Sequence, residues 1–319
     1  MQNNSSKIKV GVSACLLGQE VRYNGGHKHM PLLTGEMSKY FDFVPTCPEV
    51  GAGMGIPRPA IHLAGDPEAP RALQVGDHSV DYTGPLQSYA QQRIPQLHDL
   101  CGYVFIKNSP SCGLFRVKVY HDNGMPGPTP GRGLFADAVT KAMPLLPVEE
   151  DGRLNDPVLR ENFITRVFAM HSWRELCAQG LTAAGLIDLH SRYKYTLMAH
   201  APQELPALGQ LLADVGRHDP NEIGPRYFER MMQALHRKAT RKTNTNVMMH
   251  LQGYLKKRLQ PQEKSSLGRV IDSYRQGILP LIVPVTLLRH YFEVFPDPYI
   301  SRQAFLQPYP DDLSLRNLL

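Results

Sequence analysis

Lys9-Val10-Gly11-Val12-Ser13-Ala14-Cys15 is a short apolar run that closes in small residues and a thiol. Two later runs repeat the arrangement: Phe43-Val44-Pro45-Thr46-Cys47, and Val104-Phe105-Ile106 leading through Lys107-Asn108-Ser109-Pro110-Ser111 to Cys112. β-Branched and aromatic residues followed by Ser, Pro and Gly read as buried strands running into loops. If the strands are parallel neighbours, Cys15, Cys47 and Cys112 all reach the carboxyl edge of one sheet. Open α/β folds place their ligands at that edge. Helix signals lie between the runs, at residues 31–40, 86–100 and 134–143, with Pro95 expected to break the second. Residues 51–59 hold too much Gly and Pro for regular structure. The spacing predicts an α/β domain with a parallel, Rossmann-like sheet.

The pattern changes in the second half. Residues 144–152 read as a connection, and from Pro157 onward the periodicity is helical, over 160–179, 186–200, 204–215, 225–242, 246–259 and 264–276. Pro296, Pro298, Pro308 and Pro310 predict an irregular tail. A chain of 319 residues, at roughly 100–200 residues per domain, therefore divides into an α/β domain, 1–150, and a mostly α-helical domain, 151–319. The longest apolar stretch, 277–288, is interrupted by Pro280 and Pro284 and is too short to span a bilayer. Residues 1–7 are polar and lack a signal-peptide core, which predicts a cytoplasmic protein.

Charge follows the same division. Residues 1–150 hold 13 Lys and Arg against 13 Asp and Glu; residues 151–319 hold 22 against 16. The whole net charge of +6 thus belongs to the second half. Between Arg226 and Arg258 nine basic residues face a single acidic one. Arg237, Lys238, Arg241, Lys242, Lys256, Lys257 and Arg258, with Lys194 upstream, are the candidate RNA-binding residues. Basic side chains neutralise phosphates, and the interleaved Tyr227, Phe228 and Tyr254 offer rings for base stacking. A solvated helical face is the plainer reading of the same run.

Five cysteines at wide spacing, without a secretory signal, point to reduced thiols or metal ligands. Taken singly, a cysteine is a small buried hydrophobe. Cys101 begins its strand and Cys177 lies mid-helix beside Leu176; both read as core. Cys15, Cys47 and Cys112 share one placement. Soft thiolates select zinc, copper(I) or iron–sulfur clusters. Zinc sites draw pairs from close spacing, but no C-x-x-C exists here and the gaps are 32 and 65 residues. A cluster tolerates ligands from separate loops, and three thiolates leave one iron of a 4Fe–4S cluster open. Zinc and a metal-free site remain open on the residues alone. Glu49, two residues after Cys47, is a candidate proton carrier. Ser109 and Ser111 flank the third thiol, where Ser and Pro also build turns.

Ser13-Ala14-Cys15-Leu16-Leu17-Gly18, Cys47-Pro48-Glu49 with Pro57-Arg58-Pro59, and Lys107-Asn108-Ser109-Pro110-Ser111-Cys112-Gly113 resemble the thiouracil desulfidase family, over roughly the first 150 residues. The resemblance implies a 4Fe–4S cluster held by Cys15, Cys47 and Cys112. It also implies removal of sulfur from a thiolated pyrimidine, with catalytic roles falling on Glu49 and Ser109. The family's lysine–serine is Lys107-Asn108 here. From about Asn162 onward the chain resembles a domain of unknown function, through His190-Ser191-Arg192-Tyr193-Lys194-Tyr195 and His250-Leu251-Gln252-Gly253-Tyr254. Fusions of the two domains look like desulfidases of 4-thiouridine in tRNA. Two other expectations compete: a free-thiouracil desulfidase whose second domain is structural or protein-binding, and a cluster-dependent RNA-binding redox sensor.

Overall fold

A computed structural model describes residues 7–121, 124–313 and 315–319. Residues 1–6 of the polar N-terminus and residues 122–123 of the turn-rich loop before Pro130 lie outside them. The chain divides into two compact units, Met1–Asn155 and Asp156–Leu319.

The first unit is built on a four-stranded parallel sheet. Its strands are β1 (Ile8–Ser13), β2 (Phe41–Thr46), β6 (Gly102–Phe105) and β8 (Val148–Glu150), in the order β2-β1-β6-β8. The three runs that end in thiols are thus three adjacent parallel strands. The order reverses direction between β1 and β6, which makes that gap the switch point where open sheets bind ligands. Val10, Val12, Tyr103, Val104 and Phe105 are fully buried, as expected for a sheet covered on both faces. Gly11 is required by packing, since a Cβ there would meet the Tyr103 ring at 2.2 Å.

A second sheet joins β3 (Ile61–Ala64), β4 (Arg71–Gln74), β5 (Asp77–Asp81) and β7 (Val119–Tyr120) in the order β5-β4-β3-β7. Of this sheet, the sequence predicts only a strand within 116–120, by its alternating pattern, which is β7. β5 is polar and exposed, so hydrophobic patterning could not reveal it. The stretch read as a connection, 144–152, also carries β8. Only three residues long, β8 is recognisable by its pairing with β6 and not by its composition.

Helices follow the expected segments with shifted ends. They are α1 (Pro31–Thr34), α2 (Pro48–Gly51), α3 (Thr83–Arg93) and α4 (Leu134–Ala142) in the first unit. A 3-10 turn at Ile94–Leu97 takes over from α3 where Pro95 falls. The second unit is helical: α5 (Pro157–Ala178), α6 (Ala183–His200), α7 (Leu205–Ala213), α8 (Pro220–His236), α9 (Arg241–Leu255), α10 (Pro261–Arg275) and α11 (Ile282–Val294). Asp156 caps α5 by accepting from the backbone N–H groups of Val158 and Leu159 at 2.8 and 3.0 Å. The helix expected over 225–242 ends at His236. Thr240 and Thr243 form a reciprocal capping box there and start a new helix. α11 occupies a region read as broken by prolines. Pro284 is its third residue, inside the first turn, where a missing N–H is tolerated. Val247, Met248, Leu251, Leu267, Ile271, Leu288, Phe292 and Phe305 pack into the core of this unit. Among the described residues no helix is long and apolar enough to cross a membrane.

Candidate active site

Each thiol sits where its strand ends. Cys15 lies in the 3-10 turn that follows β1, and Gly18 closes that turn in the left-handed region at φ 89°. Cys47 precedes α2, whose first residue is Pro48; the Gly51 N–H donates to the Cys47 carbonyl at 2.9 Å. Cys112 follows β6 through a tight loop in which Asn108 adopts φ 60°. Asn is among the few non-glycine residues that accept this conformation.

The Cys112 loop is fastened to α4. The N–H groups of Leu134, Phe135 and Ala136 have no partners within their own helix. They donate to the carbonyls of Pro110 (3.0 Å) and Ser111 (2.9 and 3.2 Å). Gly133 lies against this loop so closely that a Cβ would come within 2.6 Å of the Ser111 backbone.

The three thiols line one cavity of about 490 Å³, together with Ser13, Arg22, Lys28, Glu49, Arg58, Lys107, Ser109 and Ser111. Burial, with the neighbouring Cys47 thiol adding to it, pushes the Cys15 thiol up to about 11. Burial raises Cys47, and raises Cys112 well above the usual thiol range, with Cys47 and Cys15 adding to the effect at Cys112.

Glu49, in the first turn of α2, is held at both oxygens. The Arg58 guanidinium donates to Oε2 through Nε (2.9 Å) and Nη2 (2.7 Å). The Ser111 hydroxyl donates to Oε1 at 2.6 Å. Arg58 is itself fixed by the carbonyls of Gly55 and Val21 at 2.8 and 2.9 Å, and its side chain is only 2% exposed. Ser109 is one step removed. Its hydroxyl lies 3.0 Å from that of Ser111 and accepts the Cys112 N–H at 3.0 Å. Of the two serines, Ser111 is the one that touches Glu49. The residue pattern by itself assigns Arg58 no role; its signal is the Pro57-Arg58-Pro59 step inside a Gly- and Pro-rich loop. Lys28 is anchored by Asp151 at 2.9 Å, and Asp151 also receives the Lys107 N–H at 2.8 Å.

Cys101 is buried just before β6 and away from the cavity lining, as expected. Cys177 is exposed near the end of α5 and does not belong to the core, because it falls on the outer side of a helix whose burial is concentrated in its first half.

In the second unit, Arg237, Lys238, Arg241, Lys242, Lys256, Lys257 and Arg258 are exposed and Lys194 is half-buried. They do not form one run in space. Arg241 and Lys242 open α9 and Lys256–Arg258 follow its end, roughly 20 Å apart at 1.5 Å per residue. Arg241 is also committed locally. It donates to the Tyr274 carbonyl at 2.7 Å and lies over that ring. Tyr227 and Phe228 are buried, at 0% and 2% exposure, and cannot stack on bases; Phe228 instead stacks on Trp173. Tyr254 is exposed.

A sheet edge carrying three thiols and a pinned carboxylate defines an α/β domain with a thiol-lined cavity. The family described as 2-thiouracil desulfurase matches residues 10–151, and the one described as Protein of unknown function (DUF1722) matches residues 194–310. The Uncharacterized protein YbgA of Escherichia coli (strain K12) is 34% identical over 158 residues, which are 49% of this chain and 94% of that protein. The chain belongs to the family of that protein. A solved structure, described as the 4Fe-4S-dependent thiouracil desulfidase TudS, is 26% identical, with a TM-score of 0.38, over 47% of this chain and 95% of its own.

Proposed function

We propose that the protein is an iron–sulfur desulfidase that converts the C=S of 4-thiouridine in tRNA to C=O and releases sulfide. One observation carries the reading: the cavity lined by Cys15, Cys47 and Cys112 also holds Glu49, hydrogen-bonded to Ser111. The match of residues 10–151 to the 2-thiouracil desulfurase family supports it.

Three thiolates from separate loops suit an iron–sulfur cluster. Among the described residues no group of three His, Cys, Asp or Glu side chains closes tightly enough to hold one metal ion. Three thiols nevertheless converge on one cavity from three separate loops. Cys15, Cys47 and Cys112 would hold the cluster, losing their protons as they bind. When bound, the cluster supplies one iron without a protein ligand, a soft Lewis acid for a thiocarbonyl sulfur.

Glu49 is the base in this reading. Its Oε1 takes a proton from the water that attacks the thiocarbonyl carbon, while Arg58 keeps the carboxylate from turning. Ser111 keeps its own proton and, by donating to Oε1 at 2.6 Å, holds the carboxylate in place for that transfer. Ser109 positions Ser111 and the backbone of Cys112. The new C–O bond forms and the C–S bond breaks, and sulfur leaves with the bonding pair as sulfide. Water supplies the oxygen and the protons, so no oxidant or reductant is consumed.

The tRNA substrate rests on the exposed cations of the second unit: Arg237, Lys238, Lys242 and Lys256–Arg258. A second reading, free thiouracil, is favoured by the description of the matching family and by the burial of Tyr227 and Phe228. Anaerobic reconstitution followed by nucleoside analysis of treated tRNA separates the two. Loss of 4-thiouridine with release of sulfide is expected. Intact 4-thiouridine in the presence of a full cluster, with free thiouracil consumed, reverses the choice of substrate. Cluster-dependent RNA affinity without any sulfide release is the outcome a redox sensor gives.

A further inference from the structure

Beside the thiol cavity the first unit carries a second, larger groove of about 690 Å³. Lys107 and Asn108 line both, so the two adjoin at that step. The groove is basic although the first half of the sequence is neutral overall. Its cations are Lys107, Arg116, Arg132, Lys141 and Arg153; its acids are Glu68, Asp137 and Glu150. Most of the acids are committed. Glu150 is buried and accepts the N–H groups of Leu114 and Phe115, both at 2.9 Å. Asp137 pairs with Lys141 at 2.7 Å. Arg153 pairs with Glu149 at 2.6 Å and lies over the Phe115 ring. The Lys107 ammonium and the Arg116 guanidinium have no hydrogen-bond or ion-pair partner among the described residues.

Two details mark the groove as a built surface. Phe115 is 37% exposed next to these cations. Arg116 is held at φ 54°, a left-handed conformation that costs a non-glycine residue backbone strain. Glycine would be cheaper there, so the guanidinium is what the position retains. Basic groups along a groove with an exposed aromatic ring are the means by which proteins hold single-stranded nucleic acid without reading its sequence.

We infer that this groove takes the phosphate backbone of the RNA strand next to the thiolated base, with Lys107 and Arg116 on phosphates and Phe115 under a neighbouring base. The inference rests on the desulfidase reading for its substrate, and it moves part of the RNA contact from the basic helical unit onto the neutral unit beside the thiols. It also commits the substrate class to polynucleotide, since a free base leaves the groove unused.

Arg116→Gly tests it without a folding penalty, because glycine suits the left-handed backbone. In the reconstituted full chain, kcat/KM is compared for a single-stranded RNA oligonucleotide carrying 4-thiouridine and for free 4-thiouracil. The ratio of the two is expected to fall at least tenfold in Arg116→Gly and in Phe115→Ala. The slope of log affinity against log salt for the unmodified oligonucleotide is expected to shrink by about 0.7 in Arg116→Gly, the value for one phosphate no longer neutralised. An unchanged ratio with an unchanged salt slope overturns the groove. If no thiolated substrate is turned over, the desulfidase reading falls by itself, and the salt slope still decides whether the groove holds RNA.

Discussion

Glu49 sends its two oxygens to different partners, Arg58 on one side and the Ser111 hydroxyl on the other. This division makes its two functions separable by mutation. Glu49→Gln removes the base and is expected to lower turnover by about 10²–10⁴-fold. It also leaves the buried Arg58 facing a neutral amide, which is expected to cost about 1–3 kcal/mol of stability. Ser111→Ala removes the donor to Oε1 and the hydroxyl that Ser109 contacts. A hydrogen bond to a charged group contributes about 1.5–3 kcal/mol to stability, so the variant should lose stability by about that amount and turn over more slowly. Single-turnover sulfide release and thermal melts of both variants check this pair. Equal losses in Ser109→Ala and Ser111→Ala would contradict the assignment of Ser111 as the residue in contact with the base. The sequence offers both serines with equal claim, because their spacing places each beside Cys112; the turn geometry favours one. Arg58 is silent in the sequence because its partner Glu49 precedes it by nine residues across an irregular loop, a distance with no periodicity to read.

At the scale of elements, two junctions carry function and stability. α4 fixes the Cys112 loop through its first three N–H groups, and Gly133 permits the close approach. Gly133→Ala must displace the Ser111–Cys112 backbone. We expect reduced incorporation of iron and acid-labile sulfide on reconstitution, with secondary structure by circular dichroism retained. Incorporation equal to that of the wild type contradicts the role of this junction. The second junction is His200, at the end of α6, whose Nδ1 lies 2.6 Å from the Arg237 carbonyl just beyond α8. Burial lowers its proton affinity below the ordinary 6.5, outweighing the opposite pulls of Glu161 and of the hydrogen bond to the Arg237 carbonyl, while Arg316 and Arg166 add to the lowering. The unfolded chain therefore binds a proton that the folded chain refuses. Stability is full above about pH 6.5 and declines as pH falls from there towards the folded-state value. His200→Gln, which does not titrate, should flatten the decline in melting temperature between about pH 7 and 5. The same slope in both proteins would remove His200 as its source.

At the scale of the whole molecule, the charge division between the halves is real in sequence but incomplete as a map of phosphate contacts. The cations of the second unit stand at opposite ends of α9, and the first unit gathers five of its own along one groove. Arg237→Glu combined with Lys238→Glu is expected to weaken tRNA affinity and reduce the salt slope by about 2, near 0.9 for each phosphate on duplex RNA treated as duplex DNA. Electrophoretic mobility shifts across a salt series measure this. An unchanged slope assigns these residues to solvent.

Sequence alone determined the parallel sheet and the placement of Cys15, Cys47 and Cys112 at its carboxyl edge. Each strand is a local apolar run, and each thiol follows its run directly. It also determined the helical character of the second half, because amphipathic periodicity is a local property. Only the tertiary structure decided the rest. The polar hairpin of β4 and β5 and the short β8 are strands through their pairing partners, which hydrophobic patterning does not reveal. The burial of Tyr227 and Phe228, the exposure of Cys177 and the hold of Arg58 on Glu49 depend on which surfaces meet. The basic groove beside the thiols arises because Lys107, Arg116 and Arg132 are brought together while Glu150 is drawn inward to the Leu114 and Phe115 amides. A count of charges along the chain weighs those residues equally; folding does not.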